Sequence, residues 1–179
     1  MLIRIAASGC VVAAASLAFV AAERHDVQRA VELSAPAKPG QNRTETKHLT
    51  VTTSASATTV APGGRLELYV DIAPKPKMHV YAPEQKDYIP VSFTVEASDS
   101  IKSGAVRFPK AEKYFFEPLK EMQLVYSKPF RLFRDVTFAS TARGTEVTIK
   151  GTIRYQACDD AICYVPQNVP VSWTIAVKR

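Results

Sequence analysis

EVTIKGTIRYQACDDAICYVPQNVPVSWTIAV, residues 146–177, is the stretch from which the fold is read. Val147, Ile149, Gly151, Ile153 and Tyr155 alternate with Glu146, Thr148, Lys150, Thr152 and Arg154. A period of two puts each set on one face of a strand, so one face is apolar and the other polar. Val169, Val171, Trp173, Ile175 and Val177 keep the same rhythm after a short connection. Two such runs, rich in β-branched and aromatic residues, predict antiparallel strands with one face on a core and one in water.

Toward the N-terminus the texture recurs, with Pro, Gly, Asp and Ser between short apolar runs. The strand candidates are Leu49 to Thr53, Leu66 to Ile72, Met78 to Tyr81, Val91 to Val95, Ala105 to Phe108 and Tyr126 to Thr137. No helix of useful length falls among them, and no internal repeat is visible. The 179 residues, 46% hydrophobic, have room for one domain with a real core that does not depend on disulfides to fold. The expected class is all-β: an immunoglobulin-like antiparallel β-sandwich over residues 48–179.

Ahead of it, MLIRIAASGCVVAAASLAFVAAE places Arg4 before an apolar run and small residues at Val20-Ala21-Ala22. Residues 1–22 are therefore expected to be a signal peptide that sends the chain to the periplasm, or an uncleaved N-terminal anchor. Residues 23–47 are polar and broken by Pro and Gly, which predicts a flexible linker. The formal charge is +6, and loss of Arg4 with the signal leaves +5 without a long basic run. Nucleic acid is not an expected partner, and a solvated basic surface accounts for the charge.

Removal of Cys10 with the signal leaves Cys158 and Cys163, which in an oxidising compartment are expected to pair. They bracket Asp159-Asp160-Ala161-Ile162 where one predicted strand ends, and a four-residue loop lets them face each other across an antiparallel pair. A staple across so short a loop gains little, about 2 kcal/mol or less. A pair at a hairpin tip, flanked by Tyr155, Tyr164 and Pro166, is open to a second protein's thiolate. Both a structural disulfide and an exchanging one fit these residues. A metal site fits poorly, because zinc sites take two closely spaced ligand pairs, and none is expected. Asp159 and Asp160 are expected to raise the thiol pKa by destabilising a nearby thiolate. Among the histidines, His25 and His48 lie in or beside the linker and only His79 falls in a predicted strand, so Asp/His or Ser/His catalysis has little support.

The order Tyr155, Gln156, Cys158, Asp160, Cys163, Tyr164, Pro166 closely resembles the N-terminal periplasmic domain of DsbD-type thiol:disulfide interchange proteins. The resemblance extends more loosely from Leu49 to Val177, through His79-Val80-Tyr81 and the aromatic stretch Tyr114-Phe115-Phe116. It implies an immunoglobulin-like sandwich whose aromatic cap loop covers the cysteines and withdraws when a thioredoxin-fold partner docks. Tyr114 to Leu119 would be that cap, with Phe115 or Phe116 shielding the sulfurs and His79 and Tyr81 lining the cleft. Cys163 would form the mixed disulfide and Cys158 resolve it. The implied activity is that of a thiol-disulfide oxidoreductase relay, without a cofactor. Its partners would be thioredoxin-fold periplasmic proteins, a membrane electron donor, and acceptors such as disulfide isomerases or thioredoxins of cytochrome c biogenesis. Family members usually continue into a membrane domain and a thioredoxin-like domain, whereas this sequence ends at Arg179, so a stand-alone, monomeric domain is expected. The rival expectation is a non-catalytic exported β-sandwich binding or assembly module with a structural disulfide.

Overall fold

The computed structural model describes residues 41–142 and 146–178. The expected signal peptide and residues 23–40 of the expected linker lie outside them. In chain order the strands are β1 (Asn42–Glu45), β2 (Leu49–Ala55), β3 (Thr59–Val60), β4 (Arg65–Pro74), β5 (His79–Tyr81), β6 (Ser92–Val95), β7 (Ile101–Arg107), β8 (Glu112–Phe116), β9 (Glu121–Tyr126), β10 (Phe130–Phe138), β11 (Glu146–Tyr155), β12 (Ala157–Cys158) and β13 (Gln167–Val177). One 3-10 turn, Glu117–Leu119, is the sole helical element among the described residues, so none there is long and apolar enough to cross a membrane.

The long strands β11 and β13 pair antiparallel from Glu146 opposite Ala176 to Tyr155 opposite Gln167. With β6 and a short parallel β3 they form one sheet, ordered β3-β13-β11-β6. A second sheet runs β1-β2-β4-β10-β7. The two meet face to face: Leu68, Val70, Ile72, Leu132 and Val136 of one pack into the same core as Ile149, Ile153, Val171, Trp173 and Ile175 of the other. This is the all-β sandwich that the alternation predicts, and removing that apolar surface from water is its main driving force.

Polar groups also tie the sheets. The Trp173 indole N–H donates to the Ser54 carbonyl at 2.8 Å while its ring lies 5.5 Å from Phe93. Arg134 on β10 donates to the carbonyls of Gly104 on β7 and Phe93 on β6, both at 2.9 Å. Asn42 on β1 donates to the Ser172 carbonyl at 3.0 Å, so the residues just before Thr46, at the end of the expected linker, are strand.

Two segments leave the sandwich for a small third sheet, ordered β12-β5-β9-β8. One is β5, which follows β4 after a turn in which Lys77 takes a positive φ of 67° and the Met78 amide donates to the Lys75 carbonyl. The other is β12, which continues β11 after Gln156 alone. The third sheet is where sequence and structure differ most. The run expected as one strand from Tyr126 to Thr137 is two, parted at Ser127-Lys128-Pro129, where proline has no N–H for a ladder. Residues expected as cap loop instead form β8 and the turn after it, paired with β9 from Phe116 opposite Glu121 to Glu112 opposite Val125.

Gly151 marks the tightest point between β11 and β6. A Cβ there would sit 2.4 Å from the Thr94 carbonyl oxygen and 3.4 Å from the Phe93 ring and a Val171 methyl. Backbone cannot yield as a side chain does, so Gly151→Ala is expected to destabilise the fold by about 1–3 kcal/mol in denaturant titration. A midpoint equal to wild type would show that β6 shifts freely.

Candidate functional site

Because β11 runs past the sandwich edge into β12, Cys158 is carried directly from a core strand to the third sheet. There Ala157 pairs with Val80 and Cys158 with His79. The chain then turns through Asp159 to Ile162 and returns, with Cys163 bridged to Cys158, the Asp159 amide donating to the Ile162 carbonyl at 3.0 Å and the Tyr164 amide donating to the Ala157 carbonyl at 2.8 Å. The Cα atoms of the two cysteines are 4.0 Å apart and the disulfide is formed. The two halves are unequal: Cys158 is 1% exposed, whereas Cys163 is an exposed residue.

The acidic loop residues have separate partners. The Asp159 carboxylate accepts the Ala161 and Ile162 amides and the Tyr164 hydroxyl, each at 2.8 Å, a local turn that Asp favours. Those three donors, the Ile162 amide foremost, hold its carboxyl at about 2, below its ordinary 3.8. Asp160 accepts the Tyr114 hydroxyl at 2.9 Å and so ties β8 to the cysteine loop.

The sulfurs lie against Tyr81, which is fully buried with Cys158 and Val125 in a small cluster. Its hydroxyl is 3.2 Å from Cys158 Sγ and 3.3 Å from Cys163 Sγ. Disulfide sulfur carries no hydrogen, so the phenol donates. Burial is the first cause that raises the Tyr81 pKa, and the hydroxyl keeps its proton across the physiological range. The Tyr81 ring stacks on Tyr88 at 4.3 Å. His79 meets Tyr81 edge-on at 5.8 Å and Tyr114 at 4.8 Å. Burial lowers the His79 pKa against the pull of Asp160 and Asp159, and its Nε2 is buried without a hydrogen-bond partner.

Of the aromatic stretch, Tyr114 is the residue that bonds to the cysteine loop. Phe115 is 45% exposed, on the face opposite Tyr114, and pairs in register with Met122. Phe116 is buried, 6.5 Å from the Tyr114 ring. Tyr155 is wholly buried, its hydroxyl bonded to Thr46 Oγ1 and to Gln167 Oε1 at 2.9 Å each, and it closes the core end of the loop. Tyr164 is half-buried, as is Pro166 two residues on.

Several neighbours of the site carry no signal in the sequence. His48, which the pattern leaves beside the linker, is buried with its ring 4.4 Å from Tyr164 and neither ring nitrogen bonded. Gln123 is 1% exposed inside β9 and donates to Glu121 Oε1 at 2.6 Å, and Tyr88 donates to the same oxygen. Five large apolar residues stand in solvent, Phe115, Leu119, Met122, Ile162 and Val165, of which Ile162 and Val165 flank Cys163 in the chain. All five sit on the cysteine loop or on the β8–β9 hairpin. Among the described residues no cluster of three or more His, Cys, Asp or Glu is placed to hold a metal ion.

A family model described as thiol:disulfide interchange protein DsbD, N-terminal, matches residues 46–173, more than half of the chain. No curated protein matches. Among solved structures, the N-terminal periplasmic domain of ScsB from Proteus mirabilis is similar over 76% of this chain and 52% of its own, with a TM-score of 0.53 and 11% identity. The chain thus spans about half the length of that structure. The Neisseria meningitidis DsbD N-terminal domain in the reduced form is similar over 83% of this chain and 98% of its own, with a TM-score of 0.41 and 18% identity.

The depressed Asp159 carboxyl has a signed consequence. Its bonds stabilise the fold fully above pH 3.8, and that contribution is lost as pH falls through about 2. Asp159→Asn keeps an oxygen acceptor but does not titrate. Between pH 4 and 2 the wild-type thermal midpoint is therefore expected to fall more steeply than the variant's. Parallel curves would show that the carboxylate does not hold the loop.

Proposed function

We propose, from the premise that this chain belongs to the family of DsbD N-terminal domains, that its Cys158–Cys163 pair relays electrons by thiol–disulfide exchange between thioredoxin-fold partners. The observation that carries this reading is the asymmetry of the disulfide, with one sulfur's residue exposed amid apolar side chains and the other buried. A purely structural staple has no need of an open side. Exchange demands one, because a thiolate must approach a sulfur along the S–S axis.

In this reading Cys163 is the exchanging residue and Cys158 the resolving one. A partner thiolate attacks Cys163 Sγ, the new S–S bond forms, and the electron pair of the broken bond stays on Cys158. The partner's second thiolate then releases Cys163, leaving the partner oxidised and the pair reduced. Run backward, the reduced pair passes two electrons to an oxidised partner. Ile162 and Val165, exposed on either side of Cys163 in the chain, supply apolar contact for docking, and desolvated apolar contact is what such interfaces place at their centre.

Tyr114 takes the part of the cap in this scheme, its bond to Asp160 being the contact that docking must break, with His79 and Tyr81 as walls of the cleft. Phe116 is buried near the Tyr114 ring, while Phe115, on the other face of β8, stays clear of the sulfurs. Asp159 and Asp160 keep negative charge beside the sulfurs, which disfavours a free thiolate until a partner covers it. The periplasm is the compartment this chemistry requires, reached through residues 1–22 as signal or anchor, with residues 23–47 as the linker apart from the strand Asn42–Glu45. A membrane protein is the electron donor and periplasmic isomerases or thioredoxins of cytochrome c biogenesis are the acceptors.

Cys158→Ala leaves Cys163 unable to be resolved, so it is expected to accumulate a mixed disulfide with a thioredoxin-fold protein, visible as a reducible adduct on a non-reducing gel. Cys163→Ala is expected to trap none. Equal trapping by both, or by neither, would reject the relay. The pair's reduction potential checks the same point, since structural disulfides lie below about −300 mV.

A further inference from the structure

Breaking the disulfide leaves a negative sulfur at a buried position. Cys158 is 1% exposed, and a thiolate without water needs a donor that is already in place. The Tyr81 hydroxyl is such a donor, 3.2 Å from Cys158 Sγ. Behind it stands a polar group that packing alone does not explain. Gln123 is buried within β9, in a strand whose Met122 and Leu124 are more exposed than the amide between them. Its Nε2 donates to Glu121 Oε1 at 2.6 Å and to the Tyr88 hydroxyl at 3.4 Å, and the Tyr88 ring in turn stacks on that of Tyr81 at 4.3 Å. Its Oε1 is buried without a partner, a destabilising arrangement for a residue chosen by packing.

We propose that Tyr81 is a catalytic hydrogen-bond donor that stabilises the Cys158 thiolate during exchange, and that Gln123, held by Glu121 and Tyr88, is the positioning residue that aims it. The proposal rests on the exchange reading and adds to it the group that makes the resolving sulfur a competent leaving group. Gln123 acts through Tyr88: its amide holds the Tyr88 hydroxyl, and the Tyr88 ring stacked on Tyr81 keeps the Tyr81 hydroxyl at the sulfurs. Glu121 fixes the amide, and Tyr88 fixes both by its bond to Glu121 and its stack on the Tyr81 ring. Tyr81 does not lose its proton. When the partner thiolate forms its bond to Cys163, the electron pair of the broken bond resides on Cys158 Sγ, and the hydroxyl shares its hydrogen with that sulfur until a proton from the partner's thiol or from water neutralises it. In the reverse direction the same bond favours the Cys158 thiolate that attacks Cys163 Sγ and expels the partner.

The test uses the full chain with dithiothreitol as reductant, so it does not depend on any protein partner. Tyr81→Phe removes the donor and keeps the ring; it is expected to slow reduction about tenfold and to raise the Cys158 thiol pKa by about one unit, read from the NMR titration of its Cβ in the reduced protein. The other titratable groups that face this hydroxyl are Tyr88, Glu121 and Tyr114, with His79 beside the ring and Asp159 and Asp160 on the loop. Hydrogen bonds lower Glu121 and Asp159 and burial lowers His79, so these titrate below the thiol region. Gln123→Leu keeps the donor and removes its aim; it is expected to shift both readouts the same way by about threefold, which a merely structural loss of packing would not do to the Cys158 titration. Should Tyr81→Phe fail to fold, the leucine variant alone decides. An unchanged Cys158 titration in the folded variants overturns the proposal. A shift in Tyr81→Phe without one in Gln123→Leu keeps the donor and overturns the positioning role. Failure of the cysteine variants to trap a partner would refute the relay and leave this titration result standing.

Discussion

A ladder of two residue pairs, Ala157 with Val80 and Cys158 with His79, fixes everything else about the disulfide. It works because both partners are extensions of long core strands. β12 follows β11 after one residue, and β5 follows β4 after a short turn, so two strands from opposite sheets of the sandwich meet again outside it. A cysteine mounted this way inherits the rigidity of the core without being inside it. Cys163, on the far side of a four-residue turn, is held by the disulfide, the Tyr81 hydroxyl, the loop carboxylate of Asp159 and the Tyr164 amide. Rigid on one side and open on the other is the arrangement that gives the two sulfurs different chemistry.

The turn itself is organised by a charge. Asp159 collects two amides and a phenol, which in a loop of this length satisfies donors that would otherwise turn to water. Tyr164 then passes the constraint on: its ring lies on His48 and near the Lys47 ammonium, at the very start of β2. The cysteine loop is therefore braced at both flanks, by Tyr114 through Asp160 on the β8 side and by Tyr164 through Asp159 on the β2 side. Between these braces Ile162, Cys163 and Val165 remain exposed.

Most of the sandwich was legible in the sequence because its strands obey one rule, apolar inside and polar outside. β4, β11 and β13 alternate without a fault, and the hairpin position of the cysteines followed from where β11 loses its rhythm. β8 and β9 were not legible, and the reason is physical. In Glu121–Tyr126 the buried residues include Gln123 while Met122 lies 57% exposed, so a period-two reading scores the strand on its wrong face. His48 escaped for a similar reason, since a histidine beside a polar linker reads as solvated until Tyr164 is folded over it. The pattern fails where the protein keeps polar groups in and apolar groups out, and both exceptions lie one residue removed from the site, Gln123 against the Tyr88 that stacks on Tyr81 and His48 against the Tyr164 that follows Cys163.

That coincidence constrains what the exceptions are for. A core optimised for stability alone would exchange Met122 and Gln123, burying the thioether and hydrating the amide, and would leave no amide oxygen without a partner. The inverted pair instead leaves Met122 exposed beside Phe115 on the outer face of the hairpin, while Gln123 joins Glu121 and Tyr88 behind Tyr81. Since adjacent residues of a strand point to opposite faces, neither could take its place without the other taking its own. An exposed apolar face and the polar support of the sulfurs are thus two faces of the same strand, and a change in the register of β9 would remove both together.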